Sequence, residues 1–168
     1  MSIFYDFDEV DSFTVGTVGQ PGARVFYLQV RRGATRVNIR CEKQQAAAIA
    51  QYMRRVLNDL PDPTEKPMPA AMELAVPIDD SFLLGSVGLG YDRANDRVLV
   101  QLDEVGELDD EGEPIESEDR GHLRAFITLS QAAAFCEHTD TVVAAGRPPC
   151  RWCSLPIDPA GHACPRMN

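Results

Sequence analysis

The sequence predicts an α+β fold: two similar strand-hairpin-strand-helix halves related as a pseudo-twofold duplication with antiparallel sheet, followed by a short zinc-binding tail. Three observations lead there. Ordered motifs recur in the two halves, the hydrophobic period switches from two to 3.6 at matching places, and four metal-ligating side chains crowd the last 19 residues. The first half runs Phe13-Thr14-Val15-Gly16-Thr17-Val18-Gly19, then Arg24–Val30, then Val37–Cys41, then Gln45–Ala50. The second runs Phe82-Leu83-Leu84-Gly85-Ser86-Val87-Gly88, then Arg97–Leu102, then Ala125–Leu129, then Gln131–Cys136. The alternative is that two antiparallel α+β halves look alike without a common origin.

The elements follow from local chemistry. Phe26, Leu28 and Val30 alternate with Val25, Tyr27 and Gln29, and Val98, Val100 and Leu102 alternate with Arg97, Leu99 and Gln101. That is the period of a strand with one buried face. Ala46, Ile49, Met53, Val56 and Leu60 recur at spacings of three and four, an apolar helical stripe that Pro61 and Pro63 bring to an end. The second helix is expected from a cap at Ser130 to near Gly146. The predicted organisation is residues 1–60 as the first half, 61–75 as an extended proline-rich linker, 76–146 as the second half, and 147–168 as the tail.

Charge is unevenly spread. The 168 residues carry 16 Lys plus Arg and 26 Asp plus Glu, a net −10. Residues 1–60 hold eight basic and six acidic side chains (+2), residues 61–121 four and 17 (−13), and residues 122–168 four and three (+1). Most of the acidity sits in segment 103–119, which has few apolar residues and is predicted to be an exposed, mobile loop. The overall charge disfavours nucleic acid as a partner. No run reaches the roughly 18 apolar residues of a membrane span, and Met1–Asp6 lacks the pattern of a signal peptide. Five cysteines without a secretion signal point to a reducing compartment, the cytoplasm.

The tail carries the sharpest signal. Cys150, Cys153, His162 and Cys164 have the arrangement C-x2-C-x8-H-x-C. A C-x2-C turn sets two thiolates on one side of a zinc ion, and His162 and Cys164, two apart in extended chain, supply the opposite edge. Pro156, Pro159 and Gly161 mark the return between the pairs. Four protein ligands leave no position for water, so the predicted Zn2+ is structural. A chance cluster and a C-x2-C redox pair are the competing readings.

Other surfaces are less specific. Arg31, Arg36 and Arg40 share a strand face with Tyr27, Gln29 and Asn38, and Arg147, Arg151 and Arg166 surround Trp152 in the tail. Arginines beside an aromatic can hold a phosphate and stack a base, which makes Arg36, Arg40, Trp152 and Arg151 possible anion or nucleic-acid contacts. The opposing expectation is a solvated arginine face and a Trp152 packed on the body. No catalytic constellation stands out. The glycine clusters read as turns, His122 and His138 as isolated histidines, and Cys41 and Cys136 as small buried thiols.

Cys150-Arg151-Trp152-Cys153, Pro156-Ile157-Asp158-Pro159, Gly161-His162 and Cys164-Pro165-Arg166, with Phe26-Tyr27-Leu28-Gln29 and the two Gln-Ala-Ala-Ala helices, resemble an uncharacterised actinobacterial domain-of-unknown-function family. The likeness covers essentially the whole chain. It implies a cytoplasmic protein often encoded near a histidine-phosphatase-like protein and a lipid-kinase-like protein, and implies no activity. Where zinc knuckles often have Gly after the second cysteine, this chain has Ser154. Three functions are expected in turn: a non-enzymatic zinc-containing binding or adaptor protein with a protein partner, an enzyme or sensor for a phosphorylated small molecule held by Arg36 and Arg40, and an RNA-binding module using the tail.

Overall fold

The alternating strands and the two amphipathic helices assemble around one rolled sheet. The computed structural model describes residues 3–146, 150–155, 157 and 161–166. Its strands are β1 (Phe4–Phe7), β2 (Ser12–Val18), β3 (Val25–Arg32), β4 (Thr35–Cys41), β5 (Phe82–Asp92), β6 (Arg97–Glu104) and β7 (His122–Thr128). Its helices are α1 (Lys43–Leu57) and α2 (Leu129–Ala144), with a 3-10 turn at Pro69–Met72. The period-two residues point inward as their spacing requires: Leu28, Val30, Val37, Ile39, Val98, Val100, Leu102, Ala125 and Ile127 are fully buried.

The sheet order is β1-β7-β6-β5-β4-β3-β2. One correction to the predicted architecture follows. The sheet is mixed rather than antiparallel, because β1 pairs with β7 and β4 with β5 in parallel. β2-β3-β4 and β5-β6-β7 are antiparallel meanders, and β5 runs alongside β4 in the same direction, so the second meander follows the first by a step along the sheet. Strand β1 was not anticipated; it is short, and its strand partner among the described residues, β7, is more than 100 residues away.

Residues 8–11 connect β1 on one edge to β2 on the other. Laid flat, seven strands would set those edges about 29 Å apart, whereas so short a connection reaches about 18 Å. The sheet therefore curls, and α2 spans the opening. Gln131 Nε2 donates to Val10 O at 2.8 Å, His138 Nε2 to Val15 O at 2.9 Å, and the Phe13 and Phe135 rings lie 4.6 Å apart. His138 thus satisfies a backbone carbonyl of edge strand β2. Helix α1 buries Ala46, Ile49, Ala50 and Met53, and it packs on α2, where Arg54 bonds Cys136 O and Asp140. Its stripe stops before Leu60, which lies beyond the helix end with its amide on Leu57 O. The cap of α2 is Thr128 rather than Ser130: Thr128 Oγ1 accepts from Gln131 N, and Gln131 Oε1 accepts from Thr128 N. Ser130 instead donates to Glu65 O.

The proline-rich linker does more than span a gap. After the 3-10 turn it lies across the outer face of β2, β3 and β4 before entering β5. Ser12 Oγ donates to Ala71 O, and Thr14 Oγ1 to Met72 O at 2.6 Å. The Gln29 amide pairs with the backbone of Ala75 in both directions, at 2.9 and 2.8 Å, and donates to Asn38 Oδ1 at 2.8 Å. Asn38 in turn donates to Asp79 O at 3.0 Å. These polar residues are buried because the strap supplies their partners, which removes the cost of desolvating them. Leu74 packs where a side chain on residue 16 would sit, so Gly16 is needed for the close approach. The outer face of the second meander has no such cover among the described residues. It presents the paired Asp6 and Arg124 and the bare backbone of Gly88 and Gly90.

Of the segment 103–119 predicted to be an exposed loop, Asp103 and Glu104 are half-buried at the end of β6, while residues 107–119 are exposed and have local order. Leu108 bridges Pro114, Asp109 Oδ1 accepts from the amides of Glu111 and Glu113 at 2.9 Å each, and Gly112 turns the chain at φ +84°. No helix among the described residues is long and apolar enough to cross a membrane.

Candidate metal centre

The C-x2-C segment closes on itself through its backbone. Ser154 N donates to Cys150 O and Cys150 N to Leu155 O, each at 2.8 Å. Ser154 sits at φ +63°, in the left-handed region that glycine favours. That is the physical reason a glycine suits this position, and here a serine occupies it. Gly161, at φ +121°, turns the chain immediately before His162. Pro156 and Pro159 of the expected return lie outside the described residues, as does Arg147.

The structure brings all four predicted ligands together. One ligand atom from each of Cys150, Cys153, His162 and Cys164 lies within 4.8 Å of the others. Cys150 Sγ and Cys164 Sγ are 3.9 Å apart, and Cys153 Sγ lies 3.3 Å from His162 Nε2. A tetrahedral ion with metal–sulfur bonds of about 2.3 Å puts its sulfur ligands about 3.8 Å apart, so the spacing suits one ion. Cys150 and Cys164 are buried, and Cys153 and His162 are half-buried. The amides of Cys153 and then Trp152 donate to the Cys150 sulfur and pull its thiol down to about 6, the thiolate form a metal needs. The Leu155 amide draws Cys153 the same way, but burial and the facing thiols of Cys164 and Cys150 outweigh it and raise that thiol. Amides aimed at sulfur are what hold a pair of thiolates side by side, and this chain has them without the usual glycine.

The remaining cysteines differ in kind. Burial pushes Cys41 up to about 12 and Cys136 to about 11, which leaves both as neutral thiols in the core, as expected.

The possible anion contacts are scattered. Trp152 is 53% exposed, and the Arg151 guanidinium lies 5.0 Å from its ring centroid. Arg36 and Arg40 are far from the tail in sequence and face the strap, Arg36 Nη1 donating to Val76 O at 3.2 Å and Arg40 lying 3.7 Å from Asp80. Two groupings escaped the sequence reading. His122 Nδ1 contacts Asp103 Oδ1 at 2.7 Å while Ser86 Oγ donates to Asp103 Oδ2 at 3.1 Å. A cavity also opens between the start of β3 and the start of α1. Neither has a motif, because each draws its residues from elements separated in sequence.

Fold and site together define a mixed α/β protein with one seven-stranded sheet and a C-terminal Cys/His cluster able to hold a metal ion. The chain belongs to the family described as Protein of unknown function (DUF3090), whose family model matches residues 5–164 and so takes in both the sheet and the cluster. No curated protein and no solved structure matches the chain.

Proposed function

We propose that this chain is a cytoplasmic, non-enzymatic, zinc-containing binding or adaptor protein whose partner is another protein. The observation that carries the metal half of this reading is the convergence of three thiols and one imidazole within 4.8 Å. That donor set suits zinc, and because it fills all four tetrahedral positions the ion is structural. The partner half rests on exposed apolar side chains in polar surroundings. Leu108 (63% exposed) and Ile115 (40%) project from the acidic segment, and Trp152 and Leu155 from the tail. Metal analysis of the purified chain tests the first half: about one zinc per chain is expected, lost in Cys150→Ser. A chain without stoichiometric metal contradicts it. Crosslinking in native cells tests the second, with contacts expected at 105–115 and 151–155.

A second reading, an RNA-binding module, is favoured by the exposed Trp152 with Arg151 against its ring. It requires salt-dependent binding of single-stranded RNA that disappears in Trp152→Ala. The repeated order of strands and helix also supports a duplication in which the second half gained the acidic insertion.

A further inference from the structure

We propose that the cavity between the start of β3 and the start of α1 is an anion site for a small phosphate-bearing molecule. The cavity has a volume of about 370 Å³, within the range of small-molecule sites, and Arg24 and Lys43 line it with Glu42 and with Arg40, whose guanidinium is paired with Asp80 of the strap. A surplus of positive charge around one cavity runs against the net charge of −10 of the whole chain. Arg24 is held in place from two sides. Its Nη1 donates to Val142 O at 3.0 Å, and its guanidinium lies 5.0 Å from the Phe26 ring centroid. Its other terminal nitrogen is turned to Gly146. A Cβ on Gly146 would stand 3.2 Å from Arg24 Nη2 and 3.6 Å from Lys43 Nζ, so two cationic groups from different elements converge on a point that the glycine leaves open.

Among the described residues, neither Arg24 nor Lys43 has an ion-pair partner, whereas Arg40 pairs with Asp80 at 3.7 Å. Like charges brought together without a counter-charge repel, and an anion between them turns that repulsion into attraction. The donor set favours phosphate among anions. A guanidinium fork and a mobile ammonium, arriving from different sides, suit the several oxygens of a tetrahedral dianion better than the two of a carboxylate. The site is independent of the metal centre, since none of these residues is a metal ligand.

Calorimetric titration of the full, metal-loaded chain with inorganic phosphate, and separately with glycerol phosphate, tests the proposal at constant ionic strength. Saturable binding of either probe is expected, weakened about tenfold or more in Lys43→Gln and in Arg24→Gln and unchanged in Arg93→Gln. Tighter binding of the ester identifies a phosphorylated metabolite as the ligand class, and equal binding identifies free phosphate. Lys43 is exposed and bonds nothing that holds the fold, so its variant reads the site rather than folding. Heat that chloride reproduces, or affinity that Lys43→Gln leaves intact, overturns the proposal.

Discussion

The sheet body and the C-terminal tail are ordered by different physics. In the body, apolar side chains from all seven strands and both helices form one buried cluster, in which Phe13, Leu28, Ile39, Met53 and Phe135 are at most 1% exposed. In the tail, the buried residues among those described are Cys150 and Cys164, while the large apolar side chains Trp152 and Leu155 are 53% and 50% exposed. The body removes enough apolar surface from water to hold itself together. Among its described residues the tail removes little, so a metal held by the four ligand atoms would supply most of its order. On the proposed reading, the body should tolerate chelation and the tail should not.

The largest expected effect is on the tail. A structural zinc in a small peptide contributes on the order of 10 kcal/mol to folding, so Cys164→Ser should abolish metal binding and leave residues 150–166 without fixed structure. Far-ultraviolet circular dichroism of the body should be unchanged. Acid should act on the same region. The Cys150 thiol lies near 6 in the folded knuckle against its ordinary 9.0, so folding favours its thiolate. That contribution is complete above pH 9 and lost as the pH falls through about 6, and the raised Cys153 thiol gives up its proton less readily, so the zinc affinity of the stripped chain should fall steadily as the pH drops toward 6. A tail that takes up zinc equally well at pH 5 and pH 8 breaks the comparison from this side.

On the body side, Leu28→Ala removes a fully buried side chain and should cost about 2–5 kcal/mol in denaturant unfolding without changing zinc content. Gln29→Ala should cost about 1–3 kcal/mol, because Ala75 N and O lose their buried partner and Asn38 Oδ1 loses a donor. This variant sharpens the account within the body, since limited proteolysis should then cut the strap at 69–81 first. Smallest is Thr128→Ala, about 1 kcal/mol for loss of the α2 cap, whereas Ser130→Ala should have less effect.

What could be read in the residues, and what could not, follows the range of the interactions. The strands of the two meanders show as alternation because each has one face in the core. The ligand cluster shows because its four members lie within 15 residues, and Ser154 and Gly161 fall where left-handed turns are needed. The parallel pairing of β1 with β7 leaves no local trace, since Phe4 and His122 meet only through the roll of the sheet. The strap was hidden for another reason. Gln29 and Asn38 are polar and alternate with apolar neighbours, which is the pattern of a solvated face, yet both are buried under backbone that arrives from about 40 residues further along. The same crossing engages Arg31 and Arg36, which the strand pattern alone leaves facing solvent. At α2, Thr128 and Ser130 are both competent caps, and register decides for Thr128 because Gln131 stands three residues beyond it.

Amide hydrogen exchange, measured on the zinc-loaded chain and again after chelation, compares the two regions most directly. The account predicts that chelation abolishes protection at the Cys150 and Ser154 amides, which bond within the knuckle, while amides of β3, β4, β6 and β7 keep theirs. Protection of the knuckle that survives complete metal removal, or a sheet that loses its own at the same time, would contradict it.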